Sequence, residues 1–190
     1  MKTITLPQHV EKWKNCVDCP IGTRADRHVF FRGNVPCDIL FIGEAPGESE
    51  DVVGKPFVGR SGKVLENWIT AAQIEFAPLK IGITNMVSCR PCDWIDGPNR
   101  APTENEIENC TPRLQEFFKL AKPVGVVFVG KVAEKYGLKR FKKSVEEGML
   151  LSVFHPAYIL RNGGEKSPMN KKVVKKLKRF FEEVYESIPR

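Results

Sequence analysis

The chain has 190 residues, of which 42% are hydrophobic and 28% charged, a composition that excludes a disordered or fibrous protein. Lysine and arginine (30) outnumber aspartate and glutamate (23), and the net charge of +7 suits a polyanionic partner such as nucleic acid. No segment approaches the length of a membrane span and the N-terminus lacks an apolar signal segment, so we expect a cytoplasmic protein with no membrane partner.

Four short apolar runs punctuate the chain. They lie at residues 38–43, 81–87, 124–130 and 150–154. Runs of this length, rich in β-branched residues and bounded by glycine or proline, are typical of strands buried on both faces.

Helical patterns lie between and after these runs. Apolar residues at helical spacing predict helices over 62–72 and 170–187, and a Thr-Glu-Asn-Glu capping box predicts another that begins at Thr103. Strands that alternate with helices indicate a three-layer α/β/α fold with a central, mainly parallel four-stranded sheet. Because there is no internal repeat and no low-complexity linker, we expect a single domain over residues 1–190.

Two chemically rich segments follow predicted strands. Residues 43–62 combine glycines and prolines with several carboxylates and one aromatic ring, and His155 directly follows the last strand. Ligands of open parallel sheets bind beyond the carboxyl ends of the strands. We therefore expect both segments to converge on one edge of the sheet.

The cysteines suggest a metal site. In a reducing compartment, six cysteines indicate metal ligands, catalysts or buried apolar residues more than disulfides. Cys16 and Cys19 with Cys89 and Cys92 would form two C-x-x-C pairs suited to zinc, although the gap between the pairs is longer than in zinc ribbons. Cys16, Cys19, Cys89 and Cys110 could instead hold a [4Fe–4S] cluster. Spacing alone leaves both sets open.

Four motifs follow one another in order along the chain. The first is Gly-Glu-Ala-Pro-Gly at 43–47 with Pro-Phe-Val-Gly at 56–59. The others are Thr-Asn-Met-Val-Ser-Cys-Arg-Pro at 84–91, Asn-Arg-Ala-Pro-Thr at 99–103 and His-Pro-Ala-Tyr-Ile-Leu-Arg-Asn at 155–162. Together they resemble the motifs of the family-4, iron–sulfur uracil-DNA glycosylases of the uracil-DNA glycosylase superfamily. With the cysteine pattern, the resemblance covers most of the chain.

The resemblance implies a DNA repair enzyme that hydrolyses the N-glycosidic bond of deoxyuridine in uracil-containing DNA. It favours a structural [4Fe–4S] cluster on Cys16, Cys19, Cys89 and Cys110. Residues 92–97 depart from the family pattern as a small insertion, which leaves Cys92 as an alternative ligand. We expect a monomer.

The resemblance also assigns roles in the pocket. Glu44 would act on the water or the sugar, and His155 would donate to uracil O2. Asn85 would present its amide to O4 and N3–H, Phe57 would stack on the base, and Glu50 would crowd out the methyl group of thymine near C5. The other residues assigned to the substrate site are Gly43 and Asn99.

Contacts to the DNA are expected from the segment after His155. Leu160, or its neighbour Tyr158 or Ile159, would fill the gap left by the extruded base, and Arg161 would hold a phosphate. Two alternatives remain from other functional classes. One is a non-catalytic, metal-containing DNA- or nucleotide-binding module of the same fold, and the other is a zinc-stabilised domain that acts on a free nucleotide.

Overall fold

The computed structural model describes residues 4–74, 77–146 and 149–188. The strands are β1 (Phe31–Gly33), β2 (Ile39–Gly43), β3 (Ile81–Asn85), β4 (Gly125–Val129) and β5 (Leu150–Val153). The α-helices are α1 (Leu6–Trp13), α2 (Glu48–Val53), α3 (Arg60–Ala72), α4 (Glu104–Ala121), α5 (Lys131–Phe141), α6 (Pro156–Arg161) and α7 (Pro168–Ser187). None of these helices combines the length and apolar content needed to cross a membrane.

The five strands form one sheet in the order β1-β3-β2-β4-β5. Strand β2 pairs in parallel with β3 and β4, and β4 pairs in parallel with β5, whereas β1 runs antiparallel to β3. The predicted α/β fold with a mainly parallel sheet is confirmed, but the predicted count of four strands was one too few. Strand β1 is a three-residue edge strand of sequence Phe-Arg-Gly, which carries no apolar run to reveal it.

The central strand β2 explains why its sequence is wholly apolar. Ile39 and Phe41 pack into a core formed with α3 and α7, while Leu40 and Ile42 pack into a second core formed with α4 and α5. All four side chains have no exposed surface. Successive side chains of a strand point to opposite faces, so helices on both sides of the sheet require apolar residues at every position.

Helix α4 begins as its sequence predicts. Thr103 is its N-cap, and the Glu106 side chain completes the capping box by accepting from the Thr103 N–H at 2.8 Å. Helix α1, by contrast, was not predicted, because its eight residues contain Pro7 and lie in a polar N-terminal segment. A second capping box, formed by Thr5 and Gln8, was the signal that could have revealed it.

The strand order positions the site. Strands β3 and β4 lie on opposite sides of β2, so the order in which strands are added to the sheet reverses between β2 and β4. The crevice at such a switch point, beyond the carboxyl ends of the strands, is where ligands bind in open α/β sheets. The loop after β2 and the residues that follow β4 and β5 meet at this edge.

Candidate active site

One carboxylate fixes the loop that follows β2. Both oxygens of Glu50 accept main-chain N–H groups: Oε2 accepts from Gly47 at 3.1 Å, and Oε1 accepts from Val58 and Gly59 at 2.9 Å each. The side chain is 9% exposed. Glu50 therefore ties the two ends of the loop together. The sequence analysis expected only a contact between Glu50 and the base and did not predict this role.

Phe57 enters the site from this loop in a strained conformation. Its φ of 56° lies in the left-handed region, which is uncommon for a residue with a side chain and costs on the order of 1–3 kcal/mol. The buried ring lies against the main chain of Gly43, where an added Cβ would come within 2.5 Å of Phe57 Cε2 and Cζ. Gly43 thus provides the space that the ring occupies.

Asn85 ends β3 on the other side of Gly43. Its side chain is 1% exposed, and a Cβ on Gly43 would also collide with Asn85 Oδ1. Within the described residues, this buried Oδ1 has no hydrogen-bond partner. A buried carbonyl oxygen without a partner is costly, so the position favours a ligand that brings an N–H donor.

His155 follows β5 and caps helix α6. Its Nδ1 accepts the N–H of Ala157 at 3.2 Å, so in the neutral ring the proton lies on Nε2. Burial, with a smaller contribution from the cationic Arg161, lowers the pKa of His155 to about 4 despite the opposing effect of Glu50. The imidazole is therefore a neutral Nε2–H donor at physiological pH.

His155 also faces the other pocket groups. Its ring centroid lies 6.0 Å from that of Phe57. Gly130, at the end of β4, has a φ of 95°, and a Cβ there would lie 3.1 Å from the Cβ of His155. The absence of a side chain at Gly130 lets the histidine approach the switch point.

Glu44 is the half-buried carboxylate at the start of the loop. Its backbone carbonyl accepts the N–H of Val87 at 3.3 Å. Burial raises the pKa of its carboxyl group above the ordinary value of 4.5. A carboxylate with a raised pKa is a better proton acceptor than an exposed one.

Asn99 joins the same loop from the far side. Its Oδ1 accepts from Arg90 Nε at 2.6 Å, and a Cβ on Gly47 would lie 3.3 Å from Asn99 Nδ2. Arg90 is 8% exposed and also donates to the Gly97 carbonyl at 2.7 Å. Arg90 therefore anchors the 92–97 insertion to the pocket loop, a role for which the sequence offered no signal beyond its place in a motif.

An exposed strip lies beside the pocket on α6. Tyr158 and Leu160 are each 41% exposed, Arg161 is exposed, and the Tyr158 ring stacks on Phe154 with centroids 5.5 Å apart. Ile159, in contrast, is fully buried in the core beneath. The interpretation of Ile159 as an alternative wedge was therefore wrong, since a residue packed in the core cannot enter a duplex.

The sulfur cavity lies between the N-terminal segment, the loop after β3 and helix α4. Cys16, Cys19, Cys89 and Cys110 all line it, whereas the buried Cys92 does not. The four residues share these surroundings with Ser88, whose Oγ lies 3.8 Å from Cys89 Sγ and 3.7 Å from Cys110 Sγ. Of the cysteine sets that spacing left open, the cavity brings together the one that includes Cys110.

The thiols of this cavity lie where burial disfavours the thiolate form. Burial raises the pKa of Cys16, Cys19 and Cys89, the last to about 12, and the nearby Cys110 adds to each shift. Among the described residues, no group of three or more histidine, cysteine or acidic side chains is arranged to hold a metal ion. The thiols thus surround a space without converging as ligands of one ion do.

Comparison with known proteins identifies the family. The profile of the uracil DNA glycosylase superfamily matches residues 30–179. A type-4 uracil-DNA glycosylase of Thermotoga maritima is 32% identical over 163 residues, which cover 80% of this chain and 81% of the relative. The chain belongs to the type-4 uracil-DNA glycosylases. The member from Archaeoglobus fulgidus is 30% identical over 82% of this chain and 83% of its own length. The member from Saccharolobus solfataricus is 35% identical over 70% of this chain and 59% of its own length.

One further buried residue of this type-4 glycosylase was not foreseen. Arg113 of α4 is 2% exposed and donates to the Asn85 carbonyl at 2.8 Å and to the Met86 carbonyl at 3.1 Å. On a helix whose predicted inner face is apolar, arginine is expected on the solvent side. Only its place one turn after Cys110 could have indicated otherwise.

Proposed function

We propose that the chain hydrolyses the N-glycosidic bond of deoxyuridine in DNA, so that uracil is released and an abasic site remains. The observation that carries the proposal is the buried Oδ1 of Asn85, which has no hydrogen-bond partner among the described residues and lies, like the Phe57 ring, against Gly43. The names of the relatives, type-4 uracil-DNA glycosylases, support the same activity.

Asn85 would read the base. Its Oδ1 would accept the N3–H of uracil, and its amide N–H would donate to O4. Cytosine carries an acceptor at N3 and a donor at C4, so both contacts would fail and buried polar groups would be left unpaired. Sites built around such hydrogen bonds reject the wrong partner by factors on the order of 10⁴. The Phe57 ring would stack on the same base.

The reacting bond lies between uracil N1 and C1′ of the deoxyribose. As it breaks, its electron pair passes to uracil, and the sugar acquires oxocarbenium character. The neutral Nε2–H of His155 would donate to uracil O2, where negative charge collects. Glu44 would stabilise the sugar cation and accept a proton from the water whose oxygen bonds to C1′; the uracil anion then takes up a proton to give free uracil.

The four cysteines of the sulfur cavity fit a [4Fe–4S] cluster as a structural cofactor. Four thiolates are the ligand set of such a cluster, and among the described residues no three histidine, cysteine or acidic side chains are arranged to hold a single ion, as zinc would require. When bound, the cluster would crosslink three segments of the chain. Its role would be structural, because hydrolysis of a glycosidic bond transfers no electrons. Cys16 and Cys19 would then tie the N-terminal segment to α4 through Cys110.

The exposed strip on α6 would contact the duplex. Extruding a nucleotide costs a few kcal/mol, which a wedge in the vacated space offsets. Leu160 and Tyr158 are the exposed candidates, and Arg161 would bind a phosphate.

Incubation with an oligonucleotide that carries one uracil tests the proposal. A glycosylase releases free uracil and leaves a site that alkali cleaves, whereas the matched thymine and cytosine oligonucleotides stay intact. A non-catalytic binding module would retain the uracil oligonucleotide in a mobility-shift experiment without releasing any base. That second outcome would overturn the proposal in favour of the alternative.

A further inference from the structure

Arg113 lies behind the end of the strand that carries Asn85. Its Nη2 donates to the carbonyls of Asn85 and Met86, at 2.8 and 3.1 Å, and its Nη1 donates to Thr84 Oγ1 at 3.2 Å. The Thr84 hydroxyl in turn donates to the Phe30 carbonyl at 2.6 Å. A single side chain of α4 thus holds three consecutive residues at the carboxyl end of β3.

The partners of Arg113 are all uncharged. Within residues 4–74, 77–146 and 149–188, it forms no salt bridge, and its buried Nε has no hydrogen-bond partner. Arginine stays protonated in proteins, so a full positive charge is buried here with no carboxylate within ion-pair distance among the described residues. Its field acts on His9, which is paired with Glu116, and on the thiol of Cys89. Such a charge is costly to keep for packing alone, because an apolar side chain of similar length would fill the space.

We infer that Arg113 is a positioning residue that fixes Asn85 and places behind the base pocket a positive charge that has no ion-pair partner among the described residues. This rests on the proposed excision of uracil. Negative charge develops on uracil as the glycosidic bond breaks, and a fixed charge in a buried site stabilises it without reorganising at that moment. The benefit grows along the reaction, so it acts on the rate of bond breaking more than on DNA binding.

A competing explanation is that Arg113 acts through the cysteines. It lies on the same helix face as Cys110, one turn later, and its charge reaches Cys89 in the sulfur cavity. Loss of Arg113 could therefore loosen the proposed cluster and lower the activity indirectly. The experiment must separate a loss of charge near the base from a loss of folded, iron-loaded protein.

The test measures single-turnover excision of uracil and of 5-fluorouracil from the same oligonucleotide. Fluorine withdraws electrons, so 5-fluorouracil leaves as a more stable anion and depends less on help from the protein. The variants are Arg113→Met and Arg113→Gln, which remove the charge, and Arg113→Lys, which keeps it. Thr84→Val is the matched control, because it disturbs the same hydrogen bonds and leaves the guanidinium in place. Iron content and the thermal unfolding midpoint are measured for every variant.

We expect Arg113→Met and Arg113→Gln to slow uracil excision by about 10- to 100-fold and to slow 5-fluorouracil excision clearly less. Arg113→Lys and Thr84→Val should keep the parent ratio of the two rates, whatever their absolute rates. Having two neutral variants keeps the test open if one of them fails to fold. Equal losses on both bases in an iron-loaded variant would overturn the inference and leave Arg113 a structural residue. A parent protein that excises neither base would overturn the proposed function, and this inference with it.

Discussion

Glu44 and Glu50 both lie in the segment between β2 and α3, and they have opposite surroundings. The Glu50 carboxylate accepts three main-chain N–H groups, whereas the Glu44 side chain makes no hydrogen bond or ion pair with the described residues, and burial raises its pKa. Main-chain donors occupy both oxygens of Glu50, so its geometry is committed to holding the surrounding main chain. We therefore expect the two acids to divide the work, with chemistry at Glu44 and main-chain geometry at Glu50.

Replacing each acid by its amide tests this division. Glu44→Gln should slow single-turnover excision by about 10²–10³ while affinity for uracil-DNA stays within a few fold, since the lost interaction strengthens as charge separates. Glu50→Gln should instead lower the thermal unfolding midpoint and weaken binding as well, because an amide cannot accept as strongly from three N–H groups. If Glu44→Gln excises normally and Glu50→Gln is inactive with an unchanged midpoint, the two roles must be exchanged.

The pH dependence of excision should follow Glu44. The base must be ionised, and its pKa lies above the ordinary 4.5, so activity should fall on acidification at a higher pH than an exposed glutamate would give. His155, with a pKa of about 4, is already neutral across that range and does not set the acid limb. Single-turnover rates from mildly acidic to neutral pH measure the limb. This fall of the rate on acidification should vanish in Glu44→Gln and occur at the same pH in His155→Asn as in the parent. A fall that shifts in pH when His155 is replaced would contradict the assignment.

His155→Ala should lower the excision rate by about 10²–10³ with little change in DNA affinity, because the Nε2–H donor matters most when uracil carries negative charge. Phe57→Ala is the comparison, since loss of base stacking should weaken binding and rate together. Rates at saturating enzyme and equilibrium binding are measured for both. A His155→Ala protein that binds poorly but excises normally at saturation would make the imidazole a DNA-positioning group.

Asn85→Asp should impair recognition of uracil. The carboxylate cannot donate to O4, and its charge would repel the anion that forms as the bond breaks. Excision of uracil, compared with binding of the same oligonucleotide, provides the measurement. An Asn85→Asp protein as active as the parent would place Asn85 outside the pocket.

Cys110→Ser should reduce the yield of folded protein and its iron content together, because metal binding couples to folding. Cys92→Ser is the control: Cys92 is buried but does not line the sulfur cavity, so the iron content of this variant should equal that of the parent. Iron assay and visible absorption of the purified variants decide the outcome. A Cys92→Ser protein without iron would restore Cys92 as a ligand.

The sequence predicted the elements that carry strong local signals. The short apolar runs predicted the four parallel strands β2 to β5, and the Thr103 capping box predicted the start of α4, because sheet strands and capped helix ends require particular residue types. Strand β1 and helix α1 were not predicted, because they are short and polar and are stabilised by contacts with neighbouring elements. The contacts of Arg90 and Arg113 were not predicted for a related reason: the sequence does not distinguish a buried arginine from an exposed one.

The geometry of the pocket depends on the absence of a Cβ atom at Gly43. The Phe57 ring and the Asn85 amide both occupy the space where a side chain at Gly43 would begin. A single methyl group there would push the ring and the amide out of their present positions without removing any polar group. If Phe57 stacks on the base and Asn85 reads it, as proposed, both functions depend on the same small space at Gly43, and a substitution there would disturb them together.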